Sequence, residues 1–199
     1  MVEVLRTVLS VLQIAIFIVM TPALLLRTRA AQADTVVPEE KLVKAATQVT
    51  DFTAQDASGA TVKVEFDKYR GRPVVLYFWI APNKEDMRDL QGVLEYTQKH
   101  PALQLVVIAF HDEVSPRLRQ ALEDGRLHLK GGERMRFAFL EKNNPADLKE
   151  YERLEEYYQL HWPYPNSLFV NTKGEILFTR DGYLLWNSSY MEQRLKELE

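Results

Sequence analysis

His111, Asp112 and Glu113 stand consecutively at the end of an apolar run. An imidazole beside two carboxylates can help hold a divalent metal or take a proton. The remaining histidines, His100, His128 and His161, pair neither with His111 nor with one another at a metal-ligand spacing. No second ligand follows from the sequence, and a solvated loop accounts for the same three residues. The chain has no cysteine, which removes thiol nucleophiles, disulfides, zinc-thiolate sites and iron-sulfur clusters in one step. The expectation is therefore no catalytic residue, no metal and no cofactor, with His111, Asp112 and Glu113 as the alternative metal site.

What remains is recognition. Glu155, Glu156, Tyr157 and Tyr158 precede His161, Trp162, Tyr164 and Pro165, and Tyr183, Leu184, Leu185 and Trp186 form a bulky apolar run beside a turn. Tyr and Trp are enriched among interface anchors, and such a run reads either as a binding patch or as a segment buried under the last helix. The candidate partner-binding residues are Trp162, Tyr164, Pro165, Tyr183, Leu185 and Trp186. Gly131 and Gly132, amid several bases, lack the strand-to-helix setting of a phosphate loop, so a surface loop is expected there. With 25 Lys and Arg against 28 Asp and Glu, a formal charge of -3 and no basic run, nucleic acid is not an expected partner.

These residues need elements to carry them. The stretch from Asp51 to Phe66 predicts a hairpin turning at Ala57, Ser58 and Gly59. "RPVVLYFWI" is nearly all apolar, which fits a strand covered on both faces. Met87, Leu90, Val93, Leu94 and Thr97 recur at helical spacing until His100 and Pro101. "LQLVVIAF" and "RMRFAFLE" are two more buried strands. Between them a polar helix is expected from Ser115, as N-cap with Pro116 at N1, to about Glu123. Asn144 and Pro145 open another helix, "NSLFVNTKGEILFTR" is a hairpin about Lys173 and Gly174, and a terminal helix follows Ser188 or Ser189.

Ahead of this body, Thr7 to Leu26 is an uncharged apolar stretch. Its roughly 30 Å of helix would cross a bilayer. Ala31, Gln32 and Ala33 form an A-x-A pattern, so a signal peptide cleaved after Ala33 is the alternative to an uncleaved anchor. The apolar stretch exceeds a usual signal core, and Arg27 and Arg29 intervene before the pattern, both of which favour the anchor. Those arginines, weighed against Arg6 and Glu3, mildly favour a cytoplasmic C-terminal side. The expected organisation is an anchor or signal segment over 1–29, a linker over 30–50 and the domain over 51–199.

The order of elements, with "DFTAQDASGATVKVEFDKYRGRPVVLYFW" and "YPNSLFVNTKGEILFTRDGY" as its carriers, resembles the thioredoxin fold, more narrowly the membrane-tethered thioredoxin-like proteins of the TlpA/ResA type. The resemblance implies an α/β fold with a central mixed sheet flanked by helices, behind an N-terminal transmembrane helix. It also implies an inner-membrane, single-pass protein with the domain on the periplasmic or exported side, against the arginine bias. Pro165 falls at the family's cis-proline, which in redox members borders the thiol site and helps dock an extended substrate. Where the family places two cysteines between the first core strand and its helix, this chain has Ile80, Ala81, Pro82, Asn83 and Lys84 after Phe78 and Trp79. Trp79, Pro82 and Asn83 thus mark a vestigial redox site, with Asn83 a plausible helix cap and Glu85 and Asp86 supplying first-turn acids. The functional expectation is a non-catalytic domain that binds protein as an accessory or assembly subunit of a membrane complex. A redox-inactive, chaperone-like peptide binder beside Pro165 is the alternative.

Overall fold

The apolar run Val74–Ile80 forms β3, a strand whose alternate side chains enter two separate cores. Val74, Leu76 and Phe78 point to one face of the sheet and Val75, Tyr77 and Trp79 to the other. Its neighbour β4 (Gln104–His111) alternates in the same way, so burial on both faces is what excludes polar residues from the middle of both strands. The computed structural model describes residues 48–80, 84–112, 114–161 and 164–199. Within them the remaining strands are β1 (Phe52–Gln55), β2 (Thr61–Val64), β5 (Met135–Glu141), β6 (Asn166–Val170) and β7 (Ile176–Asp181). The helices are α1 (Lys84–Lys99), α2 (Pro116–His128), α3 (Pro145–Tyr158) and α4 (Ser189–Leu198).

The sheet runs in the order β2-β1-β5-β4-β3-β6-β7. Strands β3, β4 and β5 are mutually parallel, while β6 runs antiparallel to β3 and β1 antiparallel to β5. The parallel centre requires crossovers, and α1 and α2 supply them. Helix α3 covers one face through Tyr151, Leu154 and Tyr158. The other face is covered by Leu90, Val93 and Tyr96 of α1, Leu118 and Leu122 of α2, and Met191 and Leu198 of α4. Three helix starts follow the sequence. Ser115 accepts from Leu118 N, Asn144 from Ala146 N and Ser188 from Met191 N, each satisfying an amide that the helix leaves unpaired.

Three expectations are corrected. Helix α2 runs through Gly125 to His128 rather than ending near Glu123, since a single glycine weakens a helix by only about 1 kcal/mol and does not break it. The expected surface loop at Gly131 and Gly132 is a tight 3-10 turn over Gly132–Arg134. Gly131 takes φ +79° and Gly132 is pressed against the Arg126 carbonyl, so both glycines serve the backbone there. The last residues of the expected linker join the sheet: Gln48 bridges Glu175, Val49 N donates to Gly174 O at 3.1 Å and Thr50 N donates to the Tyr158 hydroxyl at 2.9 Å. The segment Thr7 to Leu26 lies outside the described residues, among which no helix is long and apolar enough to cross a membrane.

One buried ionic network fastens four elements. Arg119 of α2, 5% exposed, donates to Gln55 Oε1 at 2.6 Å and to Val114 O at 3.0 Å, and pairs with Glu141 at the end of β5. Gln55 in turn donates to Asp147 of α3, whose other donor is Glu141 N at 3.1 Å. The guanidinium lies over the Phe139 ring, 5.3 Å from its centroid. A buried charge that loses its partner is strongly destabilising. Arg119→Met, which keeps the apolar volume and strands Glu141, is expected to lower stability by about 3 kcal/mol, read from the midpoint of urea unfolding.

Candidate functional site

The carboxyl end of β3 carries Trp79, the first residue of the expected vestigial redox site. Trp79 is buried in the second core, and its indole N–H has no hydrogen-bond partner among the described residues. Ile80 packs at the border of the first core. Pro82, Asn83 and the side chains of Glu85 and Asp86 lie outside the described residues, and with them the expected helix cap. Beside this strand end, β6 begins at Asn166 opposite Phe78, directly after a cis Tyr164–Pro165 peptide bond. Trp162 also lies outside the described residues.

Tyr164 belongs mainly to the domain's own packing. Its hydroxyl donates to Glu155 Oε1 at 3.0 Å and shares a hydrogen bond with the hydroxyl of Tyr151, which stacks flat on Phe110 with ring centroids 3.5 Å apart. Half-buried Tyr164 is thus held to α3, and Pro165 follows with its carbonyl accepting Gly182 N at 2.7 Å. That last bond links the Pro165 segment to the loop after β7.

This loop, Gly182 to Ser188, carries the other expected contacts, and here the structure makes a correction. Trp186, expected at a partner surface, is 3% exposed and packs among Tyr77, Tyr96 and Phe169. Its indole N–H donates to Asp89 Oδ1 at 3.1 Å, and that oxygen also accepts Leu184 N at 3.1 Å. The other oxygen, Oδ2, accepts the Tyr77 hydroxyl at 2.6 Å. Asp89, 7% exposed, therefore binds the loop at two points to α1 and through Tyr77 to β3. Leu184 and Trp186 turn inward, and the residues between and before them turn out: Tyr183 is 53% exposed and Leu185 73%.

Neither Asp89 nor Gly92 stands out as functional in a sequence reading. The available signal is that Asp89 lies on the same helix face as Val93 and Tyr96, where an acid conflicts with an apolar stripe. Gly92 sits mid-helix because a Cβ there would come within 2.9 Å of Trp186 Cδ1.

His111 is the last residue of β4 and Asp112 follows it. Lys142 N donates to His111 O at 2.8 Å, and Lys142 Nζ lies 3.5 Å from Asp112 Oδ1 on an exposed surface. Glu113 is outside the described residues, and among those described no three His, Asp or Glu side chains converge on a point that would hold a metal.

Two outcomes follow from this geometry. Gly92→Ala gains about 1 kcal/mol of helix propensity but drives a methyl into a rigid ring, an overpacking cost of about 1–3 kcal/mol. A net loss of stability in urea unfolding, together with altered near-ultraviolet circular dichroism from the displaced Trp186, is expected. The second outcome concerns alkali. Burial raises the pKa of Tyr96, Tyr151 and Tyr158 and pushes Tyr164 up to about 12, against about 10 in an unfolded chain. The folded state holds these protons more tightly, so their contribution to stability is complete below pH 10 and is lost as the pH rises from there through about 12. Titration followed at 295 nm should show a late tyrosine fraction that ionises together with unfolding.

No family model and no curated protein matches the sequence. Solved structures do match in fold. The thiol:disulfide interchange protein DsbE of Chlorobium tepidum aligns with a TM-score of 0.57 at 16% identity, covering 79% of this chain and 99% of its own. The thioredoxin domain of a Bacteroides vulgatus thiol-disulfide oxidoreductase gives 0.54 at 15%, covering 76% and 97%. A Chromobacterium violaceum thiol peroxidase gives 0.53 at 14%, covering 79% and 89%. The similarity extends to the fold: this chain folds as a thioredoxin-like α/β domain, and it does so without a single cysteine.

Proposed function

We propose that the protein is a membrane-anchored, redox-inactive thioredoxin-like domain that acts by binding another protein, as an accessory or assembly subunit of a membrane complex. The observation that carries this reading is the loop from Gly182 to Ser188, which Asp89 and Trp186 hold in place while Tyr183 and Leu185 face solvent. Apolar side chains on a held loop bind at lower ordering cost than on a mobile one. Thiol-disulfide exchange by the chain's own residues is excluded by composition. The apolar stretch Thr7 to Leu26 supplies the anchor in this reading, with the domain on the exported side of the inner membrane.

The test is purification of the full chain from detergent-solubilised membranes after mild cross-linking. A partner recovered in fixed stoichiometry, and lost in the Tyr183→Ala, Leu185→Asp double variant while the variant keeps its circular dichroism and melting temperature, is the expected result. Recovery of the uncomplexed chain in every preparation overturns the reading. Broad, weak capture of unfolded polypeptides by both proteins would instead favour the chaperone-like alternative beside Pro165. Mass spectrometry of the native N-terminus tests the anchor separately, because a chain beginning at Asp34 has lost it.

A further inference from the structure

Thr172, in the turn between β6 and β7, ties three segments together through its backbone. Its carbonyl accepts Gly71 N at 2.9 Å and its amide donates to Leu198 O at 3.2 Å, so the turn before β3, the β6–β7 turn and the end of α4 meet at one residue. Each segment carries an exposed cation beside that meeting point: Arg72 next to Gly71, Lys173 next to Thr172, and Lys196 in the last turn of α4. The group lies where β3 begins and shares no residue with the loop from Gly182 to Ser188.

None of these three side chains makes a hydrogen bond or ion pair with a described residue. The acids around them are mostly taken by other groups. Asp67 pairs with Arg70 at 2.6 Å, Glu197 pairs with Arg194 at 2.6 Å, and Glu175 Oε2 accepts Asn171 Nδ2 at 2.7 Å. Exposed Glu199 is left to oppose Arg72, Lys173 and Lys196, which makes a local excess of positive charge on a chain whose formal charge is -3. The other exposed cations without such a bond, Arg88, Arg117, Lys130 and Lys149, are spread over α1, the two ends of α2 and α3.

The chain also enters the domain at the Thr172 end. Gln48 bridges Glu175, and Val49 N donates at 3.1 Å to the carbonyl of Gly174, the residue after Lys173. Residues 27–47 separate this entry from the apolar stretch Thr7 to Leu26. Fully extended, they would span about 70 Å. A tether of that length does not by itself press the domain against a bilayer, so any attraction has to come from the domain's own charge.

We infer that this end of the domain docks on a bilayer surface that contains anionic phospholipids, with Arg72, Lys173 and Lys196 meeting the headgroup phosphates. The inference rests on the anchored reading proposed above. A guanidinium takes a phosphate through two parallel hydrogen bonds, and an ammonium acts on it as a point charge. Each such cation adds to the attraction once it lies within a Debye length of the surface, about 8 Å at physiological salt. Tethering keeps the lipid at high effective concentration, so a few cations suffice.

A chain without cysteine accepts a label at one chosen position. The experiment places the full chain, carrying a fluorophore at Thr172→Cys or, as a control on the exposed face of α2, at Ala121→Cys, in nanodiscs of phosphatidylcholine alone or mixed with phosphatidylglycerol. Quenching by a spin label on the lipid headgroups is read. The Thr172 label is expected to be quenched about threefold more in the anionic discs, and the Ala121 label equally in both. The difference should vanish at about 1 M salt, where the Debye length falls to about 3 Å. The triple variant Arg72→Gln, Lys173→Gln, Lys196→Gln should lose it while keeping its circular dichroism and melting temperature. Equal quenching of the Thr172 label in both lipids, or a lipid dependence that survives the triple substitution, overturns the docking and leaves the anchor standing. Relief of quenching by inorganic phosphate, at an ionic strength matched with sodium chloride, assigns the cations to the free ion and overturns the docking too. A chain that does not enter the discs overturns the anchor, and this inference with it.

Discussion

A carboxylate inside a protein must be surrounded by donors or it costs several kcal/mol. Asp89 meets that condition by accepting from the Tyr77 hydroxyl, the Leu184 amide and the Trp186 indole. These donors come from the central strand and from the loop before the last helix, so satisfying one acid fixes the relative placement of three elements. The consequences spread from there. Trp186 fills the space between α1 and the sheet, α1 must have glycine at position 92 to admit the ring, and the loop that carries Trp186 must leave Tyr183 and Leu185 outside. The exposed pair is thus a by-product of the buried one: the in-and-out alternation along Tyr183 to Trp186 is imposed by the acid beneath it.

The same logic separates this end of the sheet from a thiol site. A reactive thiol needs an electropositive helix start with room for a nucleophile and its target. Here there is no thiol, and several hydrogen-bonding groups around the β3 and β6 ends are turned to internal bonds. The Pro165 carbonyl accepts Gly182 N, Tyr164 is shared between Tyr151 and Glu155, and Asn166 Nδ2 donates to His161 O.

Much of the fold was legible because its signals are local or periodic. Strands β3 and β4 announce themselves by apolar runs that only two-sided burial explains, and α2, α3 and α4 by side chains that cap their first turns. The end of α2 was not legible, since its last turns carry too few apolar residues to mark a helical period. Trp186 misled for a deeper reason. An aromatic next to a turn looks the same in sequence whether its ring meets solvent or a buried acid 97 residues away. The sequence leaves the run from Tyr183 to Trp186 open as a patch or a buried segment, and only the Asp89 contacts separate Tyr183 and Leu185 from Leu184 and Trp186. Gln104 carried no signal at all, because its character depends on a missing acceptor and not on its neighbours in the chain.

Asp89 and Gln104 show why that distinction bears on function. Both are polar side chains at core positions, and each raises the cost of folding unless it is satisfied. Asp89 is satisfied by the protein itself, so its effect is structural: it orders a surface loop and needs nothing from outside. Gln104 Nε2 has no such arrangement among the described residues. An unsatisfied group retained there means that the fold forgoes stability, whereas an apolar residue of similar size would avoid the loss.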